Sequence, residues 1–134
     1  MRTAVDSSVL LLLLRRQTGW EAWRAALSSA AKEGCLLMCP IVFGECSMGF
    51  PSAAVAAKQF ESLQIYLDPI ERESAWLAGQ TFLKYRGEGG PREHLIPDFL
   101  IAAHASAQAD RLAVVDRGYL RRYFPQLQRL EPCS

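Results

Sequence analysis

The chain has 134 residues, of which 50% are hydrophobic and 22% are charged, and its formal net charge is +1. This length and composition predict one soluble globular domain over residues 1–134, and they exclude an intrinsically disordered chain. A charge so close to zero also argues against binding nucleic acid by bulk electrostatics, although a local basic rim around an acidic centre is compatible with it.

The predicted elements begin with a strand at residues 2–5, followed by a Leu-rich helix that starts at Ser7. Further along come an amphipathic helix closed by Gly34, a strand at 35–39 and a short helix that begins at Pro40. A second short helix is expected within residues 51–64, and a strand at 65–67. Helices and strands therefore alternate through the first half of the chain.

The second half continues this alternation. A helix is predicted over residues 70–86, with Trp76, Leu77 and Phe82 facing inward. A loop rich in glycine and proline follows at 86–97. The last predicted elements are a helix at 97–108, a strand at 111–115, a short helix at 117–123 and an edge strand at 127–130.

This order of elements predicts an α/β fold. Because the strands are apolar throughout rather than at every second residue, they should form a parallel sheet with helices on both faces. We expect a three-layer α/β/α sandwich with four to five strands. Ligands bind such sheets beyond the carboxyl ends of the strands. Asp6 and Asp116 directly follow two predicted strands and should project from that edge.

Signals for export, membrane insertion and disulfides are weak. The longest apolar run, residues 9–14, is too short to span a membrane, and Asp6 together with the arginines at 15 and 16 argues against a secretory signal. We therefore expect a cytoplasmic protein without membrane contact. The four cysteines have no histidine at metal-ligand spacing and are interpreted as reduced packing residues.

Four acidic residues are candidates for a functional site. Taken singly, Asp6 and Asp116 are also explained as helix N-caps, and Asp98 as a favourable charge in the first turn of a helix. Glu45 is harder to explain, since its neighbours in sequence are apolar and include no Lys or Arg. An unpaired carboxylate is costly to bury.

Together, these four carboxylates would surround one cleft at the edge of the sheet. Two anions about 4 Å apart repel by roughly 4 kcal/mol at an effective dielectric of about 20, so such a cluster raises its pKa values or recruits a cation. Oxygen ligands favour Mg²⁺ or Mn²⁺ over zinc. Because such an ion can activate a water and stabilise a leaving oxygen, the predicted chemistry is phosphodiester hydrolysis.

Four segments carry a family resemblance, namely VDSSVLL, PIVFGECSMGF, IPDFLIAAHA and ADRLAVVDRGYLRRYFPQLQRLEP. In this order and spacing they resemble the PIN domain, specifically the VapC-type toxins of bacterial toxin–antitoxin pairs. The resemblance implies a Mg²⁺- or Mn²⁺-dependent ribonuclease in which Asp6, Glu45, Asp98 and Asp116 bind metal and are catalytic. It also implies an RNA substrate, a cognate antitoxin and a homodimer.

One departure concerns the residues before Asp116. Family members often carry a Thr or Ser two residues ahead of the last acid, with a polar residue between, whereas this chain has Val114 and Val115. This difference puts the second metal position in question. Ser7 could supply the missing hydroxyl, and helix capping is the alternative explanation for a serine at that position.

Several residues after Asp116 could handle a substrate. Arg117 and Arg121 share a helix face and could bind phosphates, or else form a solvated surface. Tyr119 and Tyr123 could stack on bases, but their spacing favours packing in the core. Neither histidine of the chain fits a histidine-based ribonuclease mechanism, so cleavage should leave 5′-phosphate and 3′-hydroxyl ends.

Two competing functions stay open from the sequence. The main alternative is a non-catalytic PIN-like module that binds protein or RNA. A receiver-like signalling domain is the other, but it requires paired acids after the first strand and a lysine after the last, and neither is found at those positions.

Overall fold

The structure is a computed structural model that describes residues 1–91, 94, 96–115 and 118–132. Strands and helices alternate along the chain, as predicted. The elements are β1 (Arg2–Val5), α1 (Ser7–Leu14), α2 (Trp20–Glu33), β2 (Cys35–Met38), α3 (Pro40–Cys46), α4 (Ala53–Ser62), β3 (Ile65–Leu67), α5 (Arg72–Gly87), α6 (Ile96–Gln108), β4 (Arg111–Ala113), α7 (Gly118–Tyr123) and β5 (Gln128–Leu130).

The five strands form one sheet in the order β3-β2-β1-β4-β5, and every neighbouring pair is parallel. This confirms the predicted α/β fold with a central parallel sheet flanked by helices. Strands β2 and β3 lie on one side of β1, and β4 and β5 lie on its other side. The strand order therefore reverses between β1 and β4, and a crevice at such a reversal is the usual ligand site of open α/β sheets.

The central strands β1, β2 and β4 are buried on both faces, which explains their largely apolar sequences, whereas Tyr66 and Leu67 of the edge strand β3 are exposed. Val5, Leu36 and Leu112 in the central strands are each about 1% exposed. Phe60 of α4 and Phe99 of α6 are fully buried in the helical layers. The core thus holds the carboxyl ends of β1 and β4 in fixed positions.

The orientation predicted for Trp76 is wrong, because this side chain is 63% exposed. The buried positions of α5 are Ser74, Ala78 and Tyr85. At about 100° per residue, Trp76 points away from the side shared by Ser74 and Ala78. Phe82, also predicted to face inward, is only partly buried against the core, as is Leu77.

Other differences concern the ends of elements. Strand β4 ends at Ala113, so Val114 and Val115 lie beyond it, the first buried and the second 41% exposed. Three cysteines of the described chain are free thiols, as predicted, whereas Cys133 lies outside the described residues. No helix in the described ranges is long and apolar enough to cross a membrane.

Candidate active site

Asp6 stands at the carboxyl end of β1. Its backbone N–H donates to the Ala113 carbonyl (2.9 Å), which continues the β1–β4 pairing one residue beyond the strand. Its carboxylate accepts a hydrogen bond from the Ser8 N–H (3.0 Å) and thereby caps α1. The residue is only 5% exposed. Asp6 is therefore a helix cap, as its position indicated, and also a buried carboxylate at the strand-order reversal.

Helix α3 packs against α1, which places Glu45 beside Ser7, the residue that follows Asp6. The Ser7 hydroxyl donates to Glu45 Oε1 over 2.6 Å, and Ser7 itself is buried. No Lys or Arg among the described residues forms an ion pair with Glu45. The structure therefore brings Asp6, Ser7 and Glu45 together, and Ser7 connects the first strand end to the acid of α3.

Two buried thiols respond to these charges. Burial raises the pKa of Cys46 to about 11, and the negative charges of Glu45 and Asp6 add to this effect, while a hydrogen bond with Ser7 opposes it. Burial likewise raises the pKa of Cys39, with a further contribution from Asp6. Both cysteines are consequently neutral at physiological pH, and Asp6 affects each of them.

Asp98 is the third residue of α6, in the first turn of the helix as predicted. Helix α6 packs against α3 and β4, and the Asp98 carboxylate is 22% exposed. Its Oδ2 lies 4.0 Å from Nδ1 of His94. This proximity to His94 was not expected from the sequence, although a spacing of four residues between His and Asp is a signal that could have indicated it.

Asp116 and Arg117, both predicted site residues, lie outside the described residues. The neighbouring Val115 donates its N–H to the Ser8 hydroxyl (3.2 Å), so the chain just before Asp116 contacts the start of α1. Serine hydroxyls from α1 therefore have two distinct partners, the Glu45 carboxylate for Ser7 and the Val115 backbone for Ser8.

The arginines of α7 divide between two surfaces. Arg121, predicted to bind phosphate, is exposed and lines one pocket with Phe124 and Arg129. Arg122 instead lines a cleft together with Tyr119 and Tyr123. Arg122 was not predicted from the sequence to contact substrate, although positions 119, 122 and 123 share one helix face.

The donor chemistry of the site suits a hard divalent cation. Asp6 and Glu45 offer carboxylate oxygens, which Mg²⁺ and Mn²⁺ prefer. Cys46 is a poor competitor because the thiolate, rather than the neutral thiol, is the metal-binding form. Within the described ranges, no three His, Cys, Asp or Glu side chains already form a group able to hold a metal.

Comparison with known proteins identifies related folds. The family model of the PIN domain matches residues 3–125. The chain is similar to a structure of VapBC2 from Rickettsia felis bound to a DNA fragment from its promoter, with a TM-score of 0.74 and 16% identity over 96% of this chain and 97% of that chain.

Two further structures are similar. For VapBC-1 from nontypeable Haemophilus influenzae, the TM-score is 0.68 with 16% identity over 96% of each chain. For FitAcB from Neisseria gonorrhoeae, the TM-score is 0.66 with 22% identity over 97% of each chain. At these identities the likeness establishes the fold. No match to a curated protein sequence was found.

Proposed function

Because this chain belongs to the PIN domain family, we propose that it is a Mg²⁺- or Mn²⁺-dependent endoribonuclease and the toxin of a toxin–antitoxin pair. The observation that carries this proposal is the meeting of Asp6, Ser7 and Glu45 at the strand-order reversal. Among the described residues, no Lys or Arg forms an ion pair with Glu45. A divalent cation could therefore neutralise the negative charge of this carboxylate.

The proposed metal ligands are Asp6, Glu45, Asp98 and Asp116. When bound, the cation would lower the pKa of a water and offset the charge of the phosphate under attack. The described contacts support the first two assignments, and the position of Asp98 on a helix packed against α3 supports the third. Asp116 is proposed on the family resemblance and on the contact of Val115 with Ser8.

The chain's own residues would position these groups. The hydrogen bond from Ser7 restricts rotation of the Glu45 carboxylate, and the capping bond restricts Asp6. Burial of Asp6 reduces competition from bulk water for its oxygens. Arg117 and Arg121 are proposed to bind phosphates of the substrate next to the scissile one.

The partners are proposed from the structural neighbours. Two of the similar structures are VapBC assemblies, and one of these is bound to promoter DNA. By analogy, we expect an antitoxin that covers the acidic site, and a homodimer of this chain in the cytoplasm. Exposed apolar side chains such as Trp76 and Leu83 on α5 support a surface that a partner covers.

The test is incubation of the purified protein with defined RNAs, with and without Mg²⁺ or Mn²⁺. We expect cleavage that requires the metal and yields 5′-phosphate and 3′-hydroxyl ends. Asp98→Asn should reduce the rate by more than about a hundredfold, because even changes to residues that only orient ligands cost about 10- to 100-fold. Asp110→Asn is the matched control, since Asp110 is exposed and an amide oxygen can still accept from the Arg2 N–H.

Recovery of a cyclic phosphate, or cleavage that persists in EDTA, would contradict this mechanism. The alternative function is a non-catalytic PIN-like module that binds protein or RNA. Two observations favour it, namely Val114 and Val115 at positions that are often polar in the family, and the lack of a preformed metal-binding group in the described chain. Calorimetric titration with Mn²⁺ separates the two functions, because the module should not bind the ion.

A further inference from the structure

A cleft lies between the end of α5 and helix α7, close to Asp98. Its volume is about 360 Å³, within the usual range for small-ligand pockets. We call it the aromatic cleft, and the lining residues that matter here are Tyr85, Glu88, His94, Tyr119, Arg122 and Tyr123. Four of the ten lining residues carry aromatic or imidazole rings, which can stack on a flat, unsaturated ligand.

The rings of the aromatic cleft are held in place by one another. The centroids of His94 and Tyr119 are 4.2 Å apart with an interplanar angle of 34°, close to stacked. Tyr85, only 3% exposed, contacts Tyr123 edge-on at 5.3 Å, and buried Phe99 lies 5.4 Å from Tyr119. Pre-positioned rings reduce the conformational entropy that a stacked ligand would otherwise lose.

The wall of the cleft is also fixed by hydrogen bonds. The Tyr85 hydroxyl donates to the Pro91 carbonyl (2.6 Å), and Arg86 donates to the Gly90 carbonyl (2.7 Å). A side chain at Gly90 would come within 2.6 Å of the Tyr85 ring, so the backbone there packs directly on the aromatic floor. Packing and hydrogen bonds therefore hold the residues that line the cleft in defined positions.

Polar groups of both charges lie on the rim. Arg122 is paired with Glu88 (3.1 Å), and its guanidinium lies 5.4 Å from the Tyr123 ring. A hydrogen bond from Tyr123, with a smaller effect of Arg122, lowers the pKa of Glu88, which is therefore an anion at neutral pH. A carboxylate can accept from base N–H groups, and an exposed arginine can exchange a weak surface pair for a phosphate.

The aromatic cleft adjoins the proposed metal site through His94. This residue contacts Tyr119 on one side, and its Nδ1 is 4.0 Å from the Asp98 carboxylate on the other. A nucleotide whose base occupied the cleft would thus have its backbone near Asp98. The ligand should accordingly be part of the strand that is cut.

We propose that the aromatic cleft binds one unpaired base of the RNA, stacked on the His94–Tyr119 pair, at a fixed position relative to the cleaved bond. The proposal rests on the proposed nuclease function for the identity of the strand. It makes the cleft a determinant of where RNA is cut, distinct from the carboxylates that carry out the cutting.

The first experiment measures binding without cleavage. A fluorescent single-stranded RNA decamer is titrated with protein in EDTA, and wild type is compared with Tyr119→Leu and Tyr119→Phe. Leu keeps apolar bulk but has no ring, whereas Phe keeps the ring. We expect Leu to weaken binding at least about fivefold, the lower end for one base stacked on an aromatic side chain, and Phe to bind within about twofold of wild type.

The matched control is Tyr66→Leu, which removes a half-exposed tyrosine on the edge strand β3 that does not line the cleft. Binding by this variant should be unchanged. Equal affinity of Tyr119→Leu and wild type for the decamer would overturn the proposal. If Tyr119→Leu does not fold, as judged by circular dichroism, Arg122→Ala in the same titration replaces it, and unchanged binding by that variant would likewise overturn the proposal.

The second experiment locates the base. Decamers that carry one abasic nucleotide at each position in turn are cleaved by wild type in Mn²⁺. One position at a constant distance from the cut should lower the cleavage rate at least about fivefold, and this dependence should vanish in Tyr119→Leu. A uniform response to all abasic positions would overturn the proposal. Ring-dependent binding in EDTA without any cleavage would reject the nuclease function and leave the cleft as an RNA-binding site.

Discussion

Two half-buried carboxylates of this molecule, Asp68 and Glu45, have different hydrogen-bond and ion-pair partners. Asp68, after β3, accepts hydrogen bonds from buried His104 (2.8 Å) and from Gln108 (3.1 Å) of α6, and Arg2 lies 3.5 Å away. Glu45, in contrast, has the neutral Ser7 hydroxyl as its partner and no Lys or Arg among the described residues.

We interpret this difference as separating a carboxylate that stabilises the fold from one that we propose is available for a cation. At Asp68, the charge is neutralised by donors from two other elements, which ties the β3–α5 connection to α6 and β1. At Glu45, the hydroxyl orients the carboxylate without neutralising it. We therefore expect substitutions at the first region to affect stability, and substitutions at the second to affect metal binding.

The largest effect is expected for His104→Ala. It leaves the Asp68 carboxylate short of a hydrogen bond and opens a cavity in the core, so the free energy of unfolding should fall by about 3 kcal/mol in urea denaturation. His104→Gln, which can still donate to Asp68, should lose less. Mn²⁺ affinity should not change in either variant, and a parallel loss of affinity would contradict the separation of the two regions.

A second effect concerns Asp98→Asn. If the proposed ligands surround one site, removing the charge of Asp98 relieves repulsion between carboxylates, so the melting temperature in EDTA should rise. The stabilisation by metal should disappear, which amounts to about 2.7 kcal/mol at a concentration about 100 times the Kd. Differential scanning fluorimetry with and without Mn²⁺ measures both. A lower melting temperature in both conditions would instead identify Asp98 as a residue that only stabilises its helix.

A third effect concerns the buried thiol of Cys46, next to Glu45. Because burial and the nearby carboxylates raise its pKa from 9.0 to about 11, the thiol stays protonated as the pH rises, until near pH 11. At pH 8 its thiolate fraction is about 100-fold below that of an unshifted thiol. Alkylation followed by mass spectrometry should show at least this retardation relative to the urea-unfolded chain, and rapid native labelling would contradict it.

The smallest effect is expected for Ser7→Ala, which removes the hydrogen bond to Glu45. Loss of a group that orients a metal ligand typically lowers metal affinity about 10- to 100-fold, and we expect a value near tenfold because the other ligands are unchanged. Ser7→Thr keeps the hydroxyl and should restore affinity. Isothermal titration with Mn²⁺ distinguishes the variants, and equal affinity of Ser7→Ala and wild type would show that Ser7 has no positioning role.

Much of the fold could be predicted from local patterns. The strands at residues 2–5 and 65–67 were predicted with their observed ends, and the parallel sheet followed from their uniform apolarity. The orientation of α5 could not be predicted, because several large apolar side chains compete for its inner face. Packing against α6 selected Ala78 and Tyr85 and left Trp76 outside.

The candidate acidic residues could be proposed from the sequence, whereas the contacts between them could not. The position of Asp6 after an apolar strand, and the absence of a basic neighbour for Glu45, were visible in the sequence. The Ser7 bridge between them and the aromatic cleft beside Asp98 were not. Ser7 and Glu45 are 38 positions apart, and no periodicity relates residues that meet only when separate helices pack.

The sequence by itself determined the alternation of strands and helices, the burial of the central strands and the chemical character of the acids, because these depend on short-range geometry and on side-chain chemistry. The tertiary structure alone decided which carboxylates received compensating donors. His104, Gln108 and Arg2 reach Asp68, whereas Glu45 receives a serine hydroxyl. The physical reason is that electrostatic compensation depends on distances of a few ångströms between elements far apart in the chain, and only the packing of those elements sets such distances.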